Sequence, residues 1–215
     1  MAANKGDSRV NLLDAAEALF AEKGFDGTST REIAARSGDT LGTLSYHFAS
    51  KQKLLEEILR RRFADVDQLR WNYYRRSIEA ADGRVPTVEE ILKSIVYPYL
   101  DLTYSGETGW NNYINLLGRV RESGNSDQQK FFLDFALPYA KTCISWLQAA
   151  APGASQAEVA HAYEFSSMLA ILSCSTIARN RLARLSDSSK LEPADHRTHL
   201  LQFVNAGASA ILRQH

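Results

Sequence analysis

Most groupings of side chains that could carry out covalent chemistry are incomplete in this chain of 215 residues. Glu158 and His161 have the Glu-x-x-His spacing of a di-iron ligand pair, but such a site needs a second pair and two further inward carboxylates, and the sequence has no second Glu-x-x-His. His196 and His199 could place two imidazoles on one helix face; without a third ligand at compatible spacing they read as an exposed or interfacial pair. No G-x-S-x-G elbow, phosphate-binding loop or dinucleotide fingerprint occurs. The expectation is a protein that is not an enzyme and needs no cofactor or metal. What does combine is a non-covalent set, Thr30, Arg31, Thr40, Leu41, Gly42, Thr43, Tyr46, His47 and Lys51. Hydroxyls and cations of this kind suit phosphate oxygens and base edges, and a glycine lets a helix sit close to a groove.

Residues 24–51, GFDGTSTREIAARSGDTLGTLSYHFASK, contain the elements that would position that set. An apolar series through Val10, Leu13, Ala16, Leu19 and Phe20 follows helical spacing and stops at Gly24, where a helix C′ residue must reach positive φ. Phe25 and Phe20 are then the apolar pair that accompanies a Schellman ending. Ser29 with Glu32 forms an S-x-x-E capping box, so a short second helix starts at Thr30 with free N–H groups able to hold a phosphate. Gly38 makes a tight turn and Thr40 caps a third helix from Leu41 to about His47, with Ile33, Ala34 and Leu44 between the two. Ser50 caps a long fourth helix. Two helices joined by a glycine-containing turn present a recognition helix to a DNA major groove.

On these residues the chain resembles the TetR family of bacterial transcriptional regulators. The shared pattern runs through Gly24, Phe25, Thr28, Ser29, Ile33, Ala34, Gly38, Thr40, Gly42, Thr43, Leu44, Phe48, Ser50, Lys51 and Leu54, and covers roughly the first 60 residues. Three positions depart from it and bear on the base contacts: Asp39 stands where Val is usual, Leu41 where a polar or basic residue is common, and Ser45 where Tyr is frequent. The resemblance implies a ligand-responsive DNA-binding regulator, a repressor, that reads a palindromic double-stranded operator as a homodimer. Thr30 and Tyr46 would then bond phosphate, Thr43 would meet base edges or a thymine methyl, and His47 and Lys51 would hold the DNA backbone.

Composition is compatible with this. An apolar content of 45% can bury a real core, and the formal net charge is +0, so a positive face must come from placement rather than excess. Residues 8–62 hold nine Lys and Arg against eight Asp and Glu. Arg60, Arg61 and Arg62 read as a solvated helix face. Cys143 and Cys174 lack a C-x-x-C spacing and read as buried free thiols. No signal peptide opens the chain, and the longest apolar run, Phe165 to Ala178, is interrupted by Ser166, Ser167, Ser173 and Ser175; the expectation is a cytoplasmic protein without membrane contact.

Beyond Ser50 the pattern is helical throughout, giving an all-α expectation of about nine helices. These divide into a helix-turn-helix domain over residues 1–52 and an effector-binding and dimerisation domain over 53–215, linked by the fourth helix from residue 51. The eighth helix is expected to run unbroken from Ser155 to about Leu185, and the ninth from Pro193 to Arg213. Their apolar residues, among them Leu169, Leu172, Leu201, Val204, Ala208 and Ile211, could form a four-helix dimer interface or be consumed within one protomer; the resemblance favours the dimer. The aromatic-rich middle reads as core by default, and the resemblance makes it the enclosure of a small molecule. Few charges there face inward, so the effector would be apolar or aromatic, contacting Tyr97, Tyr113, Leu117, Phe135, Tyr139 and Phe165, with amides such as Asn112 and Asn115 nearby. The stretch NYINLLGRV, with the pattern of Phe, Pro and Trp on its C-terminal side, resembles the fatty-acyl-responsive branch of the family, which points to a long-chain acyl effector. The alternative is a small-molecule-binding helical enzyme or carrier that retains the fold.

Overall fold

The computed structural model describes residues 5–124 and 126–212, and these form ten α-helices and no strand. They are α1 (Lys5–Lys23), α2 (Thr30–Ser37), α3 (Leu41–His47), α4 (Lys51–Ala81), α5 (Val88–Thr103), α6 (Thr108–Arg121), α7 (Ser126–Ala150), α8 (Gln156–Cys174), α9 (Thr176–Leu185) and α10 (Pro193–Ile211). Among the described residues no helix is long and apolar enough to cross a membrane. The all-α expectation holds with one helix more than the sequence suggested.

The extra helix comes from Ser175. Its backbone is extended (φ −62°, ψ 148°), its N–H donates to the Leu172 carbonyl to close α8, and its hydroxyl accepts from Ala178 N to open α9. A serine can satisfy helix ends with its own side chain, so it offers the chain a break that apolar spacing alone conceals. The predicted end of the last helix at Arg213 lies outside the described residues.

The chain divides into two compact units. The first takes in residues 1–64 and 108–132. There α1 packs against both α2 and α6, burying Leu12, Ala16 and Phe20 of α1 with Ile33 of α2 and Tyr113 and Leu117 of α6. Leu54, Leu55, Ile58 and Leu59 recur at helical spacing on the first half of α4 and are also fully buried.

The second unit takes in residues 65–107 and 133–215. Its centre is a mutual packing of α5, α8 and α10. Ile91, Leu92, Ile95 and Tyr99 of α5 are buried there, as are Val159, Ala170 and Ile171 of α8 and Leu200, Leu201, Val204 and Ala208 of α10. Asp82 and Gly83, at φ 47° and 86°, end α4 and turn the chain toward α5.

Candidate functional site

The short helices of the first unit are held by local hydrogen bonds at every end. Ser29 Oγ accepts from Glu32 N at 3.2 Å, and Glu32 Oε2 accepts from Ser29 N at 2.8 Å, completing the capping box. Lys23 Nζ also donates to Glu32 at 2.7 Å, and that bond, with those from Ser29, brings the Glu32 carboxyl down to about 2. Gly38 at φ 78° reverses the chain after α2, and Asp39 N donates back to the Ala34 carbonyl at 3.0 Å. Thr40 Oγ1 then caps α3 by accepting from Thr43 N at 3.1 Å. Leu44 is buried beneath α3, which leaves Thr40, Leu41, Gly42, Ser45 and Tyr46 exposed along its other side.

Six of the nine expected DNA-facing residues, Thr40, Leu41, Gly42, Thr43, Tyr46 and His47, thus occupy α3 and its cap. Tyr46 is 70% exposed and packs edge-on to His47 at 5.1 Å, while Thr43 is half-buried with its hydroxyl 3.0 Å from that of Thr40. Thr30 is half-buried and Arg31 exposed at the start of α2. Lys51 stands apart from the rest. Its ammonium donates to the carbonyls of Phe25 and Thr28 at 2.8 and 2.9 Å and lies 4.2 Å from the Phe25 ring centroid. Two of its three N–H groups are therefore engaged in tying α4 to the α1–α2 connection.

Two of the three arginines on α4 are also internal ties, against the expectation of a solvated face. Glu17 of α1 is 1% exposed; Arg61 donates to it at 2.9 Å and Arg62 reaches both of its oxygens at 2.9 and 3.0 Å. Arg61 also pairs with Asp14, Arg62 lies 4.8 Å from the Trp110 ring centroid, and Arg60 lies 5.3 Å from that of Phe131. A Cβ at Gly109 would run into the Arg62 guanidinium. The buried acid on α1 had no local signature in the sequence, which is why the arginine run looked solvated.

The six residues expected around an effector are divided between the units. Tyr113 and Leu117 are 0% and 1% exposed within the first. In the second, Phe135 and Tyr139 meet edge-on at 5.9 Å, and Tyr97 carries the Arg197 guanidinium 3.5 Å from its ring centroid. Arg197 donates to the Tyr73 hydroxyl at 2.7 Å, and that hydroxyl donates to Asp101 at 2.6 Å. Phe165 is half-exposed on α8 beside His161. Outside that aromatic stretch, Arg70 of α4 adds one inward charge: it is 2% exposed and donates to the Tyr99 hydroxyl at 3.3 Å and to Asp67 at 3.2 Å. Arg70 ends the polar-looking DVDQLR of α4, and only its position on the inner side of the helix could have flagged it.

The histidines take different roles. His196 is buried, with Nδ1 2.8 Å from the Tyr104 hydroxyl, so it is not part of an exposed pair with His199. Burial pushes Tyr104 up to about 12 and His196 down, so at neutral pH a protonated phenol meets a neutral imidazole, and the tautomer of the ring sets which of the two donates. Glu158 serves as the capping partner of Ser155, and His161 bonds the Ala157 carbonyl. Among the described residues no group of three or more His, Cys, Asp or Glu could hold a metal ion.

Two family models match this arrangement. Residues 12–58 match the model described as bacterial regulatory proteins, tetR family, and residues 93–207 match a tetracyclin repressor-like C-terminal domain. The chain belongs to the TetR family. Among curated relatives it is 36% identical over 101 residues to the HTH-type transcriptional repressor KstR2 of Rhodococcus jostii, a match covering 47% of each chain. It is 46% identical over 52 residues to KstR2 of Mycobacterium tuberculosis, covering 24% of this chain and 26% of that one. The chain thus spans about half the length, or less, of the curated relatives it matches. The solved fatty acid degradation regulator FadR of Bacillus halodurans superposes with a TM-score of 0.64 at 15% identity, covering 98% of this chain and 97% of the other. FadR of Bacillus subtilis, solved in complex with stearoyl-CoA, gives 0.60 at 16% identity over 94% and 97%. Those two likenesses establish a TetR fold. The named relatives are transcriptional regulators, not enzymes.

In this TetR-family chain the residues expected at a dimer interface fall into two groups. Leu201, Val204 and Ala208 are 8%, 3% and 4% exposed within the protomer, facing α5 and α8. Leu169, Leu172 and Ile211 remain partly accessible. With Phe165, Met168, Phe203 and Gly207 several of them border an apolar groove of about 300 Å³ between α8 and α10. Phe203, 69% exposed, was missed by the sequence reading because Val204, one position on, continues the inward series and Phe203 falls outside it.

Proposed function

We propose that this chain is a cytoplasmic, homodimeric TetR-family repressor that binds a palindromic DNA operator and is released by a small, largely apolar effector. The observation that carries the reading is α3, whose apolar side is anchored by Leu44 while Thr40, Leu41, Gly42 and Tyr46 stay exposed on a rigidly capped frame. A helix of this kind entering the major groove would use Thr43 and Leu41 at base edges, with Gly42 permitting close approach. Thr30, Arg31, Tyr46 and His47 would meet phosphates. Lys51 would contribute chiefly by holding the α1–α2 connection, with its remaining N–H directed to the DNA backbone.

Residues 1–52 would act as the DNA-binding part and residues 53–215 as the effector-binding and dimerising part. Dimerisation would use the apolar groove of α8 and α10, because an exposed run of Phe165, Met168, Leu169 and Phe203 is larger than scattered surface residues require. The effector would bind within the second unit near Tyr97, Phe135 and Tyr139. The bound stearoyl-CoA of the Bacillus subtilis FadR structure supports an acyl compound as one candidate. Selection of genomic fragments by the purified protein tests the reading. It should enrich an inverted repeat, and enrichment indistinguishable from that of a protein without DNA affinity would refute it.

A further inference from the structure

The interior of the second unit holds a permanent positive charge. Arg70 is 2% exposed on α4, within reach of Tyr99 on α5 at 3.3 Å and Asp67 on its own helix at 3.2 Å. Cys143 of α7 and Tyr163 of α8 also face it closely enough to act on its charge, so four helices converge on one guanidinium. Burial pushes the Cys143 thiol up to about 11 and raises Tyr163 as well, which leaves both neutral and protonated at physiological pH. A carboxylate in the group is that of Asp67, whose side chain is 22% exposed and accepts from Arg70 Nη1 at 3.2 Å. A buried guanidinium is costly to hold, and an apolar residue in its place is often no less stable. An anionic group on a ligand would offset that cost where an uncharged one would not.

The surroundings fit an acid on an apolar body. Arginine presents a planar fork of donors that matches a carboxylate better than any other anion-binding side chain of similar size. Tyr99, 2% exposed, and Tyr163, which is hydrogen-bonded to Ser167, add phenol groups beside it. One turn along α7 from Cys143, Trp146 stacks on Tyr74 at 3.9 Å and receives the edge of Trp71 at 4.9 Å, forming an aromatic wall. Pro98 lies inside α5 immediately before Tyr99 and cannot donate to the Ser94 carbonyl, so the helix carrying a partner of Arg70 is weakest in its hydrogen-bond ladder at this point.

We infer that the effector carries a carboxylate, which Arg70 binds with the help of Tyr99 and Tyr163 in competition with Asp67, while the aromatic wall takes its apolar body. This rests on the effector reading above and narrows its chemistry from apolar compounds to apolar acids.

The test uses the full chain and matched probe pairs, linear acids from butanoic to octadecanoic and phenyl-substituted acids, each against its primary alcohol. Affinity is read by calorimetry and operator release by fluorescence anisotropy. At least one acid should bind tighter than its alcohol by about tenfold or more, the scale of a charge-assisted hydrogen-bonded pair. Arg70→Met should erase the preference and Arg70→Lys should restore part of it. Asp67→Asn, which removes the competing anion and keeps the arginine, should tighten acid binding; this variant keeps the inference open to refutation even if Arg70→Met does not fold. If no acid binds better than its alcohol, or if Asp67→Asn leaves acid affinity unchanged, Arg70 and Asp67 are only a structural ion pair. Arg70-dependent binding of an acid that leaves operator affinity unchanged would uphold the site and overturn the effector reading instead.

Discussion

Lys51 Nζ lies 4.2 Å from the centre of the Phe25 ring and donates to the Phe25 and Thr28 carbonyls, fastening the start of α4 to the connection between α1 and α2. Thr28, itself buried, donates its hydroxyl to the Gly24 carbonyl at 2.8 Å, so the same turn is fixed from both sides. The frame behind α3 depends on a side chain that a motif reading would count as a phosphate ligand.

Lys51→Met should therefore lower the stability of the DNA-binding part by about 1–3 kcal/mol, the range for hydrogen bonds to a charged group plus a cation–π contact. Thermal unfolding checks this. A variant with unchanged melting but weaker DNA binding would show that the lysine acts mainly on phosphate.

The capping acids give a pH signature. Glu32 and Glu90 both titrate near 2, against 4.5 unperturbed, through bonds from Lys23 and Arg84 respectively and from the backbone N–H of their cap residues. Because their folded values lie below the unfolded one, the stabilisation they confer is complete above about 4.5 and is lost as pH falls toward 2. Carboxylate chemical shifts followed by NMR should give midpoints well under 4 for both. In Lys23→Ala the Glu32 midpoint should move up while that of Glu90 stays.

Much of the DNA-facing frame was legible in the sequence because its causes are local. The Ser29–Glu32 box, the Gly24 and Gly38 turns and the Thr40 cap each depend on residues within a few positions of one another, and each appears as read. What escaped depends on distant partners. Arg62 could not be paired with Glu17 before α1 and α4 were packed, nor Arg70 placed inside before α5, α7 and α8 surrounded it. Ser175 sits in an apolar run that any periodicity count would carry through, yet its hydroxyl and extended backbone divide the helix.

Burial also corrects which residues should report on assembly. Phe203→Glu or Leu169→Glu, at positions 69% and 37% exposed, should give a folded monomer by light scattering and a loss of operator affinity. Val204→Glu, at a position 3% exposed, should instead unfold the second unit by burying an unpaired charge. Wild-type protein that is monomeric at micromolar concentration would contradict the dimer proposal.

Recognition and anchoring should separate by substitution. Thr43→Ala should change the preferred base at one or two positions at a cost of about 1–3 kcal/mol on the best site, whereas Tyr46→Phe should weaken all sequences alike. Binding titrations against single-base variants of the selected operator distinguish these outcomes. Equal losses on every sequence for Thr43→Ala would remove it from the base-reading role.

The most direct measurement is a hydroxyl-radical footprint on the selected fragment. Two α3 helices of a dimer in successive major grooves should protect two half-sites one helical turn apart, about 34–36 Å, with both protections lost together in Phe203→Glu. A single protected half-site, or no protection beyond that of unrelated DNA, would contradict the account.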